Sequence, residues 1–342
     1  MVYILTFFAT ILICLLLIKS SIVTADPTSR GEYKYSIATS GGLALSVPLI
    51  LSMLLMIGIN DNDLVYLLLL AIISLLGVAD DFYDVSQIIR FIAQILISLF
   101  FAIYFITTNP IEVFFIVLSI VYVINSLNFF DGIDLLVSSQ MIFMLSSLLL
   151  IVSYQNIVLQ DNMVNMNSIM ILSVISLIGF SIYNYSPASL FLGSSGSYYL
   201  GFMISTLFVF FIFAENISVY TCMILYSTPL IDTILVFIFR FTTKLRHQYT
   251  RSSHLINSII ESIKTVFFVA HSLHNYQIMS RKLKSHIRVD IFILTLNIIW
   301  CLPLAILSTI YNDVSHIIFI LSLVPYTLIS IFNKTGIEVH KL

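Results

Sequence analysis

Two adjacent carboxylates, Asp80 and Asp81, end a long apolar run in this chain of 342 residues. Neighbouring carboxylates repel each other and raise each other's pKa unless a cation lies between them. Mg²⁺ takes oxygen ligands, usually one or two carboxylates together with substrate phosphates. The pair therefore predicts a magnesium site. The simpler alternative is a solvated helix end, because carboxylates also favour the start of a following helix.

A second polar series reads Asn125-x-x-Asn128-x-x-Asp131-Gly132-x-Asp134. Residues three apart are neighbours on a helix, so successive members of the series share a face. Amides and acids inside lipid are costly and are functional candidates by default. Polar side chains also join transmembrane helices to each other, which is the alternative interpretation. Gly132 predicts where the helix breaks.

A glycine-rich stretch, Gly193-Ser194-Ser195-Gly196-Ser197, precedes another apolar run. Its glycines would let backbone N–H groups approach an anion, and a helix N-terminus favours phosphate. A phosphate cradle and a simple turn fit this stretch equally well.

The segment 240–289 is basic and holds five of the seven histidines. Apolar side chains recur with helical period over about 254–270, which predicts an amphipathic helix. A further acid, Asp232, lies shortly before the segment. It fits either a residue that packs helices together or one that supports a site.

The whole chain is 59% hydrophobic and 9% charged. A soluble domain has about 25% charged residues, so the composition excludes a soluble protein. It predicts an all-α, polytopic integral membrane protein, with residues 1–342 forming a single transmembrane domain. About eleven runs have the length and apolarity of a spanning helix. They are 2–18, 41–59, 64–79, 88–106, 111–127, 137–154, 168–184, 196–213, 217–239, 290–310 and 315–332. Strands are not expected, because the runs are long and lack alternation.

The cations follow a clear pattern along these runs. Fourteen of the fifteen Lys and Arg residues fall in the odd-numbered connections or in the C-terminal tail, and Arg90 lies at the start of the run 88–106, beside the third connection. The positive-inside rule then predicts that the N-terminus lies outside and the C-terminus in the cytoplasm. It also places the four polar groups, including loop 240–289, on the cytoplasmic side, which suggests one site.

These motifs, in this order, resemble those of the polyprenyl-phosphate N-acetylhexosamine-1-phosphate transferases, the glycosyltransferase family 4. The resemblance covers most of the chain, and the predicted span count and orientation resemble the GlcNAc-type branch. It rests on the stretches Gly77-Val-Ala-Asp80-Asp81, Asn125-x-x-Asn128-x-x-Asp131-Gly132-x-Asp134, Phe191-x-Gly193-x-x-Gly196-Ser197 and Pro229-Leu-x-Asp232.

The resemblance implies an activity and its partners. A polyprenyl phosphate, undecaprenyl phosphate, attacks the β-phosphorus of a UDP-sugar, and UMP leaves. The reaction would be the first membrane step of cell-envelope polysaccharide synthesis, at the cytoplasmic face of a bacterial inner membrane. Membrane lipid is a further expected partner, a homodimer is left open, and no nucleic acid is expected.

The resemblance also implies roles for individual residues. The expected catalytic residues are Asp80, Asp81, Asp131 and Asp134. The first three are also the expected ligands of Mg²⁺, with Mn²⁺ as the alternative metal. The expected substrate-binding residues are Asn125, Asn128, Phe191, Gly193, Ser194, Arg251, His254 and Arg30. Phe191 would stack on the uracil ring.

Three positions depart from the family pattern. Ser194 stands where the family's glycine-rich motif, FxGDxGS, has an aspartate that binds metal. His254-Leu-Ile-Asn257 keeps one histidine of the HxHH element, and Tyr33 stands where a histidine is usual. A serine hydroxyl is a poor substitute for a carboxylate on Mg²⁺. A catalytically degenerate member that binds lipid phosphate or a partner, and a membrane transporter, are therefore the alternatives.

Overall fold

The structure, a computed structural model, describes residues 1–25, 36–56, 59–155, 164–213, 217–252, 255–268 and 272–337. Helices dominate the described chain. They are α1 Val2–Ser20, α2 Gly42–Leu54, α3 Asp61–Tyr83, α4 Gln87–Phe101, α5 Pro110–Phe130, α6 Leu136–Tyr154, α7 Met166–Asn184, α8 Gly193–Phe213, α9 Val219–Leu225, α10 Ser227–Ser252, α11 Leu255–Phe268, α12 Asn275–Leu283, α13 His286–Leu296, α14 Leu302–Ile310 and α15 Ser315–Phe332. A π-helical turn extends α4, and a second one joins α13 to α14.

The prediction of a polytopic membrane protein is confirmed. Within the described residues, nine helical segments are long and apolar enough to cross a membrane, and the bent pair α9–α10 raises the number to ten. Helix α2 has 13 residues, about 20 Å at 1.5 Å per residue, so it is shorter than the predicted run 41–59. The count of eleven spans and the orientation of the termini stay predictions.

The predicted continuous run 217–239 is broken in the structure. Helix α9 ends at Leu225, α10 starts at Ser227, and the two axes differ by 79°. Pro229 lies in the first turn of α10, where its missing N–H is not needed, but it cannot continue a helix from upstream. Helix α10 then runs to Ser252, well past the predicted end of the run. The amphipathic helix predicted over 254–270 is confirmed as α11.

A small sheet corrects the expectation that strands are absent. Strands β1, Thr24–Ala25, and β2, Ile37–Ala38, pair in an antiparallel manner, and Ala38 also bridges to Leu190. The long apolar runs that argued against strands concern the membrane-spanning helices, whereas this sheet lies in a connection. The sheet ties the first connection of the chain to the loop that precedes α8.

Helix α8 forms the centre of the bundle, and 89% of the residues in its apolar stretch are buried. Helices α2, α3 and α5 pack against it, and glycines allow this close approach. A Cβ atom on Gly77 of α3 would lie 2.4 Å from the carbonyl oxygen of Ser194, and one on Gly42 of α2 would lie 2.2 Å from the nitrogen of Gly196. The tight contact fixes the N-terminus of α8 beside the C-terminal end of α3.

Candidate active site

The carboxylate of Asp81 caps the N-terminus of helix α8. The backbone N–H groups of Ser194 and Ser195 donate to its two oxygens at 2.7 and 3.2 Å. The Ser40 hydroxyl donates to the same carboxylate at 2.9 Å. The first N–H groups of a helix have no partner within the helix and favour a negative charge. The amides that the sequence predicted for a substrate phosphate therefore hold a carboxylate of the chain itself.

Gly193 is required by this contact in two ways. Its φ of +74° lies in the left-handed region, where side chains are disfavoured. A Cβ atom there would also lie 2.6 Å from an oxygen of Asp81 and 2.8 Å from the Thr39 hydroxyl. The glycine therefore lets the end of α3 and the start of α8 meet.

The other member of the acidic pair, Asp80, faces different partners. Its carboxylate accepts from an Nη atom of Arg90 at 2.7 Å and from the hydroxyl of Tyr198 at 2.9 Å. The same Arg90 nitrogen donates to the Tyr198 hydroxyl. Asp80 is 7% exposed, so a cation is needed to compensate its charge. Arg90 of α4 supplies it, and neither Arg90 nor Tyr198 was among the predicted site residues.

The two asparagines of the second series have unequal surroundings. Asn128 accepts a hydrogen bond from the Ser197 hydroxyl of α8 at 2.9 Å, which brings it to the same helix start as Asp81. Asn125 donates to the buried Gln94 of α4 at 2.6 Å. Asn125 therefore joins α4 to α5, as in the alternative interpretation of polar residues between transmembrane helices.

Asp131 and Asp134 follow the end of α5. Asp134 is buried, and its carboxylate lies 3.0 Å from Nδ1 of His286 at the start of α13. Burial of the Asp131 carboxyl, followed by repulsion from Asp81 and Asp134, raises the pKa of Asp131 to about 8. The negative charges of α3 and of the loop after α5 are therefore close enough to affect one another.

The segment from His274 to Gln277 covers this loop and was missed in the sequence. The Tyr276 hydroxyl donates to the carbonyl of Phe129 at 2.7 Å. A Cβ atom on Gly132 would lie 2.3 Å from that hydroxyl and 2.8 Å from Nε2 of Gln277. A usable signal was present, because the polar run Ser272-Leu-His274-Asn275-Tyr276-Gln277 interrupts the apolar pattern. The partial match to the family's histidine element that the sequence suggested lies instead at His254.

Asp232 anchors this segment to the bundle. Its carboxylate lies 2.6 Å from Nδ1 of His274, and it accepts from the Asn275 N–H at 2.9 Å and from the Tyr326 hydroxyl at 3.0 Å. Asp232 is fully buried. Of the two roles left open by the sequence, helix packing or support of a site, the geometry combines both. It joins α10, α12 and α15 and places Tyr276 over Gly132.

The predicted ligands of Mg²⁺, Asp80, Asp81 and Asp131, differ in their surroundings. Within the described part of the chain, no three His, Cys, Asp or Glu side chains form a preassembled metal-binding group. Asp80 and Asp134 pair with Arg90 and His286. The raised pKa of Asp131 indicates a carboxylate whose charge lacks compensation. If the chain binds Mg²⁺, Asp131 and Asp81, whose charges repel each other, would supply the one or two carboxylates that substrate phosphates usually complete.

The remaining predicted residues are placed as follows. The N–H of Phe191 donates to the Ala38 carbonyl at 2.8 Å, so the small sheet positions Phe191 directly before Gly193. Arg30 and His254 lie outside the described residues. Arg251 lies in α10, where the structure describes its backbone only.

The family model for glycosyl transferase family 4 matches residues 64–212. A phospho-N-acetylmuramoyl-pentapeptide-transferase of Staphylococcus carnosus is 30% identical over 227 residues, which cover 53% of this chain and 68% of that protein. The chain belongs to glycosyl transferase family 4.

Two further members of glycosyl transferase family 4 are similar to the chain. A probable undecaprenyl-phosphate N-acetylglucosaminyl 1-phosphate transferase of Bacillus subtilis is 26% identical, with 67% of both chains covered. An undecaprenyl-phosphate alpha-N-acetylglucosaminyl 1-phosphate transferase of Thermotoga maritima is 28% identical, covering 64% of this chain and 66% of that protein. The family match contains Asp80, Asp81, Asp131, Asp134 and the start of α8, whereas Asp232, the segment from His274 to Gln277 and His286 lie outside it.

Proposed function

We propose that this chain transfers a sugar 1-phosphate from a UDP-sugar, a UDP-N-acetylhexosamine, to undecaprenyl phosphate and releases UMP. The observation that carries the proposal is the meeting of the carboxylates of α3 and of the loop after α5 at the N-terminus of α8. The names of the relatives from Bacillus subtilis and Thermotoga maritima support the acceptor and the sugar class. The positions of the cations support a cytoplasmic site in a bacterial inner membrane.

The reaction exchanges one phosphorus–oxygen bond for another. An oxygen of the lipid phosphate bonds to the β-phosphorus, the bond from that phosphorus to the oxygen bridging to the α-phosphorus breaks, and UMP carries that oxygen away. Phosphoryl transfer of this kind needs positioning and neutralisation of negative charge more than covalent chemistry by the protein. A chain that performs it must hold two phosphate groups in line beside compensating charge.

The residues of the site meet these needs in different ways. Asp81 is locked to the start of α8 and fixes the end of α3. Arg90 donates to the carboxylate of Asp80 and holds it in place. Asp131, with Asp81 beside it, would hold Mg²⁺, which when bound neutralises phosphate oxygens. Tyr276 and Gln277 close the side of the loop at Gly132.

The experiment compares two acids at the end of α3, Asp81 and Asp84. Purified protein in detergent is given undecaprenyl phosphate, UDP-N-acetylglucosamine and Mg²⁺, and UMP release is measured. The Asp81→Asn variant should lose roughly 10²–10³-fold in rate, because a charge preorganised beside the reacting groups is removed. The matched control is Asp84→Asn, since Asp84 is exposed on the same helix end and should keep its rate.

Absence of turnover above the Asp81→Asn background with several UDP-sugars would reject the proposed activity. Retained binding of undecaprenyl phosphate in that case would support the degenerate member, which Ser194 favours. The Ser194→Asp variant then provides a separate check, because it adds the carboxylate that the family motif normally has. Gain of turnover in that variant would identify Ser194 as the reason for the loss.

A further inference from the structure

Helix α11 turns its apolar side chains outward. Ile256, Ile260 and Ile263 are 72%, 46% and 42% exposed. Their spacing of four and three residues places them in one stripe along the helix. Such a stripe in water would leave a continuous apolar surface without compensation.

The inner face of the same helix carries small polar side chains. Ser258 and Ser262 are 1% and 0% exposed, and they lie on the opposite side of α11 from the isoleucines. This is the face that packs on α10. A helix on the surface of a soluble domain shows the reverse arrangement, with its apolar stripe inward. Small residues between helices and apolar residues facing outward are instead the pattern of helices in lipid.

The position of α11 also brings it to the bilayer. Helices α9 and α10, a pair bent by 79°, are together long and apolar enough to cross a membrane. The 26 residues of α10 are about 39 Å long, against about 30 Å for the hydrocarbon core. A span that includes α10 therefore extends beyond the hydrocarbon core, and α11 packs against α10. Arg246, exposed near the end of α10, suits anionic headgroups.

We propose that α11 is an interfacial helix that binds the surface of a phospholipid bilayer containing anionic lipid. Its isoleucine stripe of Ile256, Ile260 and Ile263 lies roughly 5–10 Å deep, at the boundary between headgroups and acyl chains. The proposal concerns a lipid contact and does not depend on the transfer reaction.

The test uses the full chain in nanodiscs of phosphatidylcholine and phosphatidylglycerol. The single tryptophan, Trp300, is first replaced by phenylalanine (Trp300→Phe), and the further variants are made in this background. The Ile260→Trp variant then reports the stripe, and Glu261→Trp is the matched control, because Glu261 is exposed but points away from the stripe. Brominated acyl chains should quench the indole of Ile260→Trp more strongly than that of Glu261→Trp, and aqueous iodide should show the opposite order.

Two results would overturn the proposal. Equal iodide quenching of both variants without bromolipid quenching would show a stripe in water. Quenching of Ile260→Trp by neither agent would show a stripe covered by protein, and disulfide dimers of an Ile260→Cys variant would identify a second copy as that cover. Ile263→Trp repeats the measurement if Ile260→Trp does not elute as a single species. The native cysteines are buried and should not form such dimers.

Discussion

At the residue scale, the acidic pair divides into two different roles. Asp81 is held by backbone amides and Asp80 by a cation, although the two residues are adjacent in the chain. On a helix, neighbouring side chains point about 100° apart, so each reaches a different neighbour. Asp81 meets the start of α8, whereas Asp80 meets Arg90 of α4. Removal of one or the other should therefore have distinct consequences.

Arg90 is expected to matter for stability as well as for activity. The Arg90→Met variant leaves the buried Asp80 without a cation, which costs about 3–5 kcal/mol for a fully buried pair. The Arg90 side chain is 23% exposed, so solvent screening should reduce the loss to about 1–3 kcal/mol. Thermal unfolding in detergent measures it. Tyr198→Phe, which keeps the cation, should lower the melting temperature less; an equal or larger effect would contradict the role given to Arg90.

Asp131 should couple cation binding to pH. Its pKa of about 8 means that the metal-free carboxyl is largely protonated at pH 7. A divalent cation binds the ionised form, so apparent Mg²⁺ affinity should rise as pH increases towards 8 and each binding event should release protons. Calorimetry in two buffers of different ionisation enthalpy measures this release. Affinity independent of pH between 6 and about 8 would contradict the assignment, and Asp131→Asn should abolish the release.

At the element scale, the site depends on how closely α3 approaches α8. In Gly77→Ala the new Cβ would meet backbone atoms of Ser194 and Ser195 at 2.4 and 2.5 Å, which cannot move as a flexible side chain can. We expect a loss of about 1–3 kcal/mol and a large drop in UMP release. Gly179→Ala is the control, because its Cβ would meet only side chains at 3.3 Å or more. A fully active Gly77→Ala would show that the α3–α8 contact does not position Asp81.

Asn125 tests whether a motif residue binds substrate or joins helices. Its bond to Gln94 predicts that Asn125→Ala loosens α4 from α5 by about 0.6–1.7 kcal/mol and leaves KM for the UDP-sugar nearly unchanged. Asn128→Ala, beside Ser197 and the start of α8, is the comparison and should raise KM. Thermal unfolding and substrate titration separate the two effects. A raised KM with unchanged stability in Asn125→Ala would restore the role implied by the family resemblance.

At the scale of the whole molecule, a buried acid joins the C-terminal half of the chain to the site. Asp232 binds His274 and Asn275 at the start of α12, and Tyr326 of α15. The segment that covers Gly132 therefore depends on contacts far from it in sequence.

Asp232→Asn should release α12 from the bundle without unfolding the rest. The substitution replaces one of the two accepting oxygens of Asp232 with an NH2 group, which can only donate a hydrogen bond. Hydrogen exchange of the α12 amides should accelerate, whereas that of α8 should stay unchanged. Asp313→Asn, at an exposed acid, provides the control. Unchanged exchange in α12 would mean that Asp232 does not anchor this segment.

The sequence by itself determined the class of the protein and which acidic residues were candidates for the site. Composition, apolar run length and motif order depend only on residue types and their spacing, so the helical membrane fold, α11 and the family were accessible. Because the polar groups were predicted on the same side of the membrane, Asp81, Asp131 and Ser194 were expected to lie near each other. The structure shows the contact of Asp81 with Ser194 and the proximity of Asp81 to Asp131.

Only the tertiary structure decided which partner each polar group has. Arg90, Tyr198 and His286 lie on other helices than the acids that they bind, and Gln94 lies on another helix than its partner Asn125; none has a motif spacing relative to its partner. The covering segment at Tyr276 likewise depends on packing across the bundle. Hydrogen-bond partners are set by which helix faces meet in space, and local sequence carries little information about long-range contacts of this kind.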